Sequence, residues 1–159
     1  MVSIKWCCKQ REGIELIEPN DNLAKSYIRM AEDSIETMNR EKKYNSIFAI
    51  SACYYSMYYS VYSILMKIGV KCKIHQCTLE LMKFILPDFF SDKDIKLIKK
   101  AFDLRNISQY YVNKIILKED TEFIIENAQL FLDKSKDILS RLTEKEIFEM
   151  RNKIKNLQN

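Results

Sequence analysis

From Tyr44 to Met66 the chain runs for 23 positions without a charged residue. That length meets the requirement for a membrane-spanning helix. Six tyrosines and five serines dilute the segment, however, and lysines stand beyond both of its ends, which removes the charge asymmetry that orients a membrane span. A helix that is apolar on all sides is otherwise typical of the centre of a globular protein. We therefore predict a buried central helix over residues 44–68 and no membrane association.

Turn-forming residues are scarce, since only two glycines and two prolines occur among the 159 residues. A β-sandwich or barrel needs a turn signal about every 8–12 residues, so both are excluded. The composition predicts an all-α protein with an antiparallel bundle of four to six helices, in a chain of one-domain size. We divide it into an N-terminal arm (1–19), the bundle (20–142) and a C-terminal charged helix (143–159).

Local signals predict where several helices begin and end. Gly13 is predicted as a left-handed residue just past a short helix over residues 3–11, and Gly69 as the end of the central helix. N-caps are predicted at Asn20 or Asp21, Ser91, Thr121 and Thr143. The first long helix has an apolar stripe at helical spacing, formed by Leu23, Tyr27, Met30, Ile35 and Met38.

The charge balance is mildly basic, with 26 basic and 22 acidic residues and a net charge of +4. Such a balance is compatible with contacts to phosphate but is weaker than that of an obligate nucleic-acid binder. The five cysteines are odd in number, and no apolar leader stands at the start of the sequence. Both features favour a cytoplasmic protein whose thiols are reduced.

Two segments carry the functional signal. The first is AISACYYSMYYSVY (49–62), which is followed by Leu65 to Lys71 and then by the only histidine, His75; the second is LRNISQYY (104–111). Their order resembles the HEPN superfamily, the higher eukaryotes and prokaryotes nucleotide-binding domains, over about residues 20–142. The resemblance implies a helical bundle that forms a homodimer and is frequently encoded beside a small nucleotidyltransferase. Many members are metal-independent RNases and several act as toxins.

The catalytic motif of that family is only half present. It consists of an arginine, a polar residue, and a histidine separated from the arginine by four to six residues. Arg105 and Asn106 match the first half, and we assign them as catalytic only if the protein is an RNase. Tyr110, Tyr111 and Val112 occupy the histidine window. A tyrosine with a pKa near 10 exchanges protons poorly at neutral pH, so binding is favoured over catalysis.

Arginine can hold a phosphate through two hydrogen bonds without performing chemistry. Arg105 and Gln109 are four apart on one helix face, whereas Tyr110 lies about 140° round an ideal helix from Arg105. The predicted site for RNA or a nucleotide comprises Arg105, Gln109, Tyr110, Tyr111, Lys71, Lys73 and His75. Lys67, Lys96, Lys99 and Lys100 would add a phosphate-attracting face if they converge with it. We expect no cofactor and no metal.

Several alternatives stay open. The protein could be an RNase with an altered site, in which His75 replaces the missing motif histidine, or a helical interaction module without a nucleic-acid role. Cys72, His75 and Cys77 could bind zinc if Cys7 or Cys8 supplied a fourth ligand. A nucleotidyltransferase partner could modify Tyr110 or Tyr111. Arg105 could also serve only the packing of the bundle.

Overall fold

A computed structural model describes residues 2–158, which form seven α-helices and two short strands. The all-α prediction is confirmed: one of the seven helices is the short helix expected in the N-terminal arm, and the other six fall within the expected four to six. The elements are α1 (Ile4–Cys8), β1 (Ile14–Leu16), α2 (Asp21–Glu41), α3 (Ser46–Ile68), β2 (Val70–Cys72), α4 (His75–Ile85), α5 (Asp92–Tyr110), α6 (Lys118–Arg141) and α7 (Glu144–Gln158).

The predicted central helix is α3. Asn45 caps its start, because the Asn45 side chain accepts a hydrogen bond from the backbone N–H of Phe48 at 3.2 Å. Gly69 ends it in the left-handed conformation with φ of 81°, as predicted. Seventeen of the 23 residues of α3 are buried, and α2, α6 and α5 pack most extensively against it. Among the described residues, no helix is long and apolar enough to cross a membrane.

Helix α2 packs on α3 through a face that matches the predicted stripe in part. Its buried residues are Ala24, Ala31, Ile35 and Met38. Ile35 and Met38 belong to the stripe, whereas Leu23 and Met30 of the stripe are exposed to solvent. The alanines let the two helix backbones approach closely, as do the buried small residues of α3, which repeat every fourth position: Ala52, Ser56 and Ser60. Large apolar side chains of α2 are thus left on the surface.

The N-terminal arm docks on the body of the protein through a short sheet. Strand β1 pairs antiparallel with β2, so that Ile14 lies opposite Cys72. The prediction for Gly13 is wrong, since the only glycine with positive φ in residues 2–158 is Gly69. A Cβ at Gly13 would instead lie 1.9 Å from the carbonyl oxygen of Cys7. The glycine is needed there for close backbone approach.

The cysteines also depart from the prediction. Cys7 of α1 and Cys77 of α4 form a disulfide with a Cα–Cα distance of 5.6 Å, so the expectation that all thiols are reduced is wrong. The spacing of 70 residues gave no local signal for this pair. Cys8, Cys53 and Cys72 remain free thiols.

Two of the three later caps agree with the sequence. The Ser91 hydroxyl caps α5 together with the Asp94 carboxylate, and the hydroxyl of Thr143 pairs with Glu146 at the start of α7. Thr121 is not a cap, because α6 begins earlier, at Lys118. Each confirmed cap is a reciprocal pair in which both partners bond to backbone N–H groups, and Thr121 lacks such a pair.

Replacing Cys77 with serine removes the disulfide, and we expect the free energy of unfolding to fall by about 2–4 kcal/mol. The cause is the conformational freedom that the unfolded chain regains when a 70-residue loop is opened. Cys8→Ser, which leaves the disulfide intact, is the matched control. Thermal unfolding with and without dithiothreitol checks this: reduction should lower the midpoint of the wild type and of Cys8→Ser but not of Cys77→Ser. A wild-type midpoint that does not change on full reduction would contradict it.

Candidate functional site

The site forms where the end of α5 lies along the first half of α3. The Arg105 guanidinium donates to the Tyr55 hydroxyl at 3.0 Å, and the Gln109 amide donates to the Ser51 hydroxyl at 2.9 Å. The two donors are four residues apart on α5, and the two acceptors are four residues apart on α3. The two hydrogen bonds therefore link the same two helix faces, one helical turn after the other. The prediction that Arg105 and Gln109 share a face agrees with this geometry.

Arg105 is a half-buried cation without a counter-ion. A second guanidinium nitrogen donates to the Asn106 side-chain oxygen at 3.0 Å, and no carboxylate in residues 2–158 forms an ion pair with Arg105. Its Nε is buried and has no hydrogen-bond partner. An unpaired buried donor on a charged group is costly, and the charge of Arg105 itself stays without an anionic partner.

Tyrosine rings flank the guanidinium on two sides. The rings of Tyr55 and Tyr110 each lie 5.6 Å from the guanidinium carbon of Arg105, within the range of a cation–π contact. Tyr110 is the last residue of α5, and its ring reaches Arg105 although an ideal helix would place the two residues far apart round its axis. The end of the helix therefore brings Tyr110 into the site within a single chain.

His75 joins the neighbourhood from the start of α4. Its Nδ1 lies 2.6 Å from the Tyr54 hydroxyl, and its ring stacks on Tyr58 with a centroid distance of 4.4 Å. Burial and the nearby charge of Arg105 lower the pKa of His75 below its ordinary value. The imidazole is therefore neutral at pH 7, and it lies close enough to Arg105 to feel its charge.

The phenols around His75 keep their protons. Burial raises the pKa of Tyr54 and of Tyr58 far above the ordinary value for tyrosine. A protonated phenol donates one hydrogen bond and accepts others. The Tyr54 hydroxyl can therefore donate to the unprotonated Nδ1 of His75, which leaves Nε2 as the nitrogen that carries the proton.

The predicted lysines Lys71 and Lys73 each lie beside a glutamate of the N-terminal arm. Lys73 pairs with Glu12 at 2.8 Å, and its hydrogen bond and charge lower the pKa of that carboxyl. Lys71 lies opposite Glu15 in the strand pair. Their positive charges therefore already have carboxylates nearby, and their part in a phosphate site stays a prediction.

The other basic residues are distributed over several grooves. Lys99 pairs with Asp103, and Lys100 pairs with Asp120. Lys96 and Lys100 line one groove, whereas Lys67 and Lys99 line two others, and Arg105 lines none of the three. Convergence of these lysines with the Arg105 site stays a prediction. The ring of Tyr111 lies 4.2 Å from the Lys114 ammonium, and the part of Tyr111 in the site likewise stays a prediction.

The three candidate zinc ligands are engaged elsewhere. Cys77 is bonded to Cys7, His75 directs Nδ1 at Tyr54, and the Cys72 thiol is 3.5 Å from the carbonyl oxygen of Ile74. In residues 2–158, no group of three or more potential ligands could hold a metal ion. The geometry therefore does not favour the zinc alternative.

A groove of about 660 Å³ between α2 and α3 adjoins the site. Tyr55 and Ser51, which accept hydrogen bonds from Arg105 and Gln109, also line this α2–α3 groove. The rest of its lining combines apolar, neutral polar and acidic side chains and comprises Met30, Asp33, Ser34, Thr37, Glu41, Asn45, Phe48, Ala52 and Tyr59. Sequence reasoning missed Ser51 and Tyr55 as partners, although their spacing of four matches that of Arg105 and Gln109.

Comparisons with known proteins agree with this architecture. The model of the HEPN domain family matches residues 24–139. A protein of Methanocaldococcus jannaschii named "Putative toxin MJ0142" is 32% identical over 117 residues, covering 70% of this chain and 78% of the relative. A "UPF0332 protein" of Archaeoglobus fulgidus is 29% identical over 92 residues, covering 57% of this chain and 74% of the relative. The chain belongs to the HEPN domain family, which confirms the resemblance seen in the sequence.

The lowered pKa of His75 predicts a pH dependence of stability. The unfolded chain binds a proton near pH 6.5, whereas the folded chain binds it only at lower pH. The free energy of unfolding therefore falls as pH drops below about 6.5, by at most about 1.4 kcal/mol per pH unit. Thermal unfolding between pH 7.5 and 5.5, above the range in which most carboxylates titrate, should show this fall in the wild type and a smaller one in His75→Gln. Equal slopes in the two proteins would contradict the assignment.

Proposed function

We propose that this protein is a HEPN binding or regulatory protein that engages a phosphate of RNA or of a nucleotide through Arg105. We further propose that it acts in the cytoplasm as a homodimer, with a nucleotidyltransferase partner in a toxin–antitoxin-like system. The observation that carries the proposal is the half-buried guanidinium of Arg105, which has no carboxylate partner and one buried unpaired donor.

The present partners of Arg105 favour exchange with an anion. Its two hydrogen bonds go to neutral acceptors, the Tyr55 hydroxyl and the Asn106 amide oxygen. Bonds between a guanidinium and a phosphate are charge-assisted and stronger than bonds to neutral oxygens. A phosphate can therefore displace one of them. Tyr110, whose side of the site is exposed, supplies a ring on which a base can stack.

The toxin–antitoxin part of the proposal comes from the relatives. The Methanocaldococcus jannaschii protein is named "Putative toxin MJ0142", which supports a role of this chain beside a neutralising partner.

A second candidate is a metal-independent RNase, and the position of His75 favours it. The motif histidine is missing from the sequence, yet the fold brings the only imidazole within the electrostatic reach of Arg105. A neutral imidazole can accept the proton of a ribose 2′-hydroxyl at Nδ1 once the Tyr54 hydroxyl releases that nitrogen, while Arg105 stabilises the charge that develops on the phosphate. Asn106, which is bonded to Arg105, would orient the guanidinium in this reaction.

Replacing Arg105 with glutamine should weaken binding of a single-stranded oligoribonucleotide about tenfold or more at 50 mM salt. Loss of one phosphate contact should also reduce the slope of log K against log salt by about 0.7. Arg29→Gln removes one positive charge from an exposed position of α2 and should change neither quantity by as much. Arg105→Lys keeps the charge but loses the planar fork, and is expected to bind with intermediate affinity.

Thermal unfolding of each variant shows that a loss of binding is not a loss of fold, since Arg105 also bonds to Tyr55. Negligible wild-type binding at low salt would refute the phosphate-binding proposal. It would leave the protein as a helical interaction module without a nucleic-acid role.

Incubation of RNA with the protein in EDTA distinguishes the two candidate functions, binding and metal-independent cleavage. The proposal expects no cleavage by the wild type. Cleavage that is lost in both Arg105→Ala and His75→Gln would establish the second candidate instead. Cleavage that survives both changes would come from a contaminating nuclease, and the Arg29→Gln variant prepared in parallel identifies that background.

A further inference from the structure

The segment between α5 and α6, residues 111–117 (the α5–α6 loop), presents apolar side chains to solvent. Val112 is fully exposed and Ile115 is 91% exposed. Tyr111 and Leu117 are also exposed. A run of large apolar side chains on one exposed loop is a mark of an interaction site.

The α2–α3 groove is the complementary surface. Its lining includes apolar side chains from both helices, among them Phe48, which is 60% exposed, and Met30, which is 42% exposed. Asp33 and Glu41 bring carboxylates to the same groove. Negative charge opposes phosphate, so the groove suits a protein segment that is apolar and carries a positive charge.

The α5–α6 loop has that chemistry. Lys114 lies at its centre and is the only charged residue between Tyr111 and Leu117. Within residues 2–158, neither Lys114 nor Asp33 takes part in an ion pair. The loop and the groove are thus matched in both apolar character and charge.

The two surfaces adjoin each other on the same face of the molecule. Gln109 precedes the loop by two residues and donates to Ser51, which lines the groove. In a two-fold symmetric dimer, each surface of one copy meets its complement on the other. An axis through the border between loop and groove therefore places the loop of each copy on the groove of its partner.

We propose that the α5–α6 loop of one copy binds in the α2–α3 groove of a second copy, with Lys114 facing Asp33 across the interface. The proposal rests on the homodimer of the proposed function and identifies the surfaces that form it. Since Tyr55 borders the groove and accepts from Arg105, the loop of the partner lies beside each Arg105.

Charge reversal tests the pairing. Lys114→Glu and Asp33→Lys each place like charges together at both contacts of the dimer, so the dimer Kd from sedimentation equilibrium should rise at least about tenfold for either variant. Mixing the two variants should restore assembly, because the mixed dimer contains two opposite-charge pairs. Lys145→Glu, an exposed change of the same kind on α7, should leave the Kd unchanged.

The apolar part is tested by Ile115→Ser, which removes exposed apolar surface without changing charge and should also weaken the dimer about tenfold. A wild-type dimer whose Kd none of these variants alters, or variants that fail to rescue one another on mixing, would overturn the loop–groove pairing and leave the dimer itself standing. A wild type that is monomeric at all concentrations would overturn the pairing and the homodimer together, while RNA binding through Arg105 is measured separately.

Discussion

Because α3 is covered on nearly every side, each polar group that it carries must find a partner inside the protein. The serines turn back on their own helix, as when the Ser60 hydroxyl donates to the carbonyl oxygen of Ser56 at 2.6 Å. The tyrosine side chains are too long for their hydroxyls to bond to the backbone of their own helix, so the hydroxyls reach neighbouring elements instead. Tyr62 accepts from the backbone N–H of Cys72, and Tyr54 meets His75. The candidate site is thus part of the hydrogen bonding that a buried tyrosine-rich helix requires.

The features that the sequence predicted are those that depend on residues close to one another along the chain. The uncharged segment, Gly69 and the Ser91–Asp94 cap are local signals, and each appears in the structure near the expected position. The face of α2 was predicted only in part, because hydrophobicity favoured the large side chains of Leu23 and Met30, whereas close packing against a helix with small residues favoured alanine. The three-residue strands were missed because a run so short has no readable period.

Long-range pairing explains what was missed in the site. The spacing of Arg105 and Gln109 predicted a shared face, but nothing in that spacing points to Tyr55 and Ser51, some 50 to 58 residues away. The lysines were expected to attract phosphate, yet a partner as distant as Glu12 neutralises Lys73. Charge counts along a sequence omit such pairs, and an unpaired cation such as Arg105 is recognised only once every carboxylate has been placed.

Arg151 of α7 connects the N-terminal arm and the last helix, which both lie outside the matched residues 24–139, to the end of α3. One guanidinium nitrogen donates to the carbonyl oxygens of Ile17, Ile68 and Gly69, at 2.7 to 3.0 Å, and the Gln158 amide donates to the carbonyl oxygen of Ile14. The arm and the last helix therefore hold each other in place over the end of α3. Segments tied together in this way open as one cooperative unit, so in hydrogen exchange their amides share a single opening free energy instead of fraying separately.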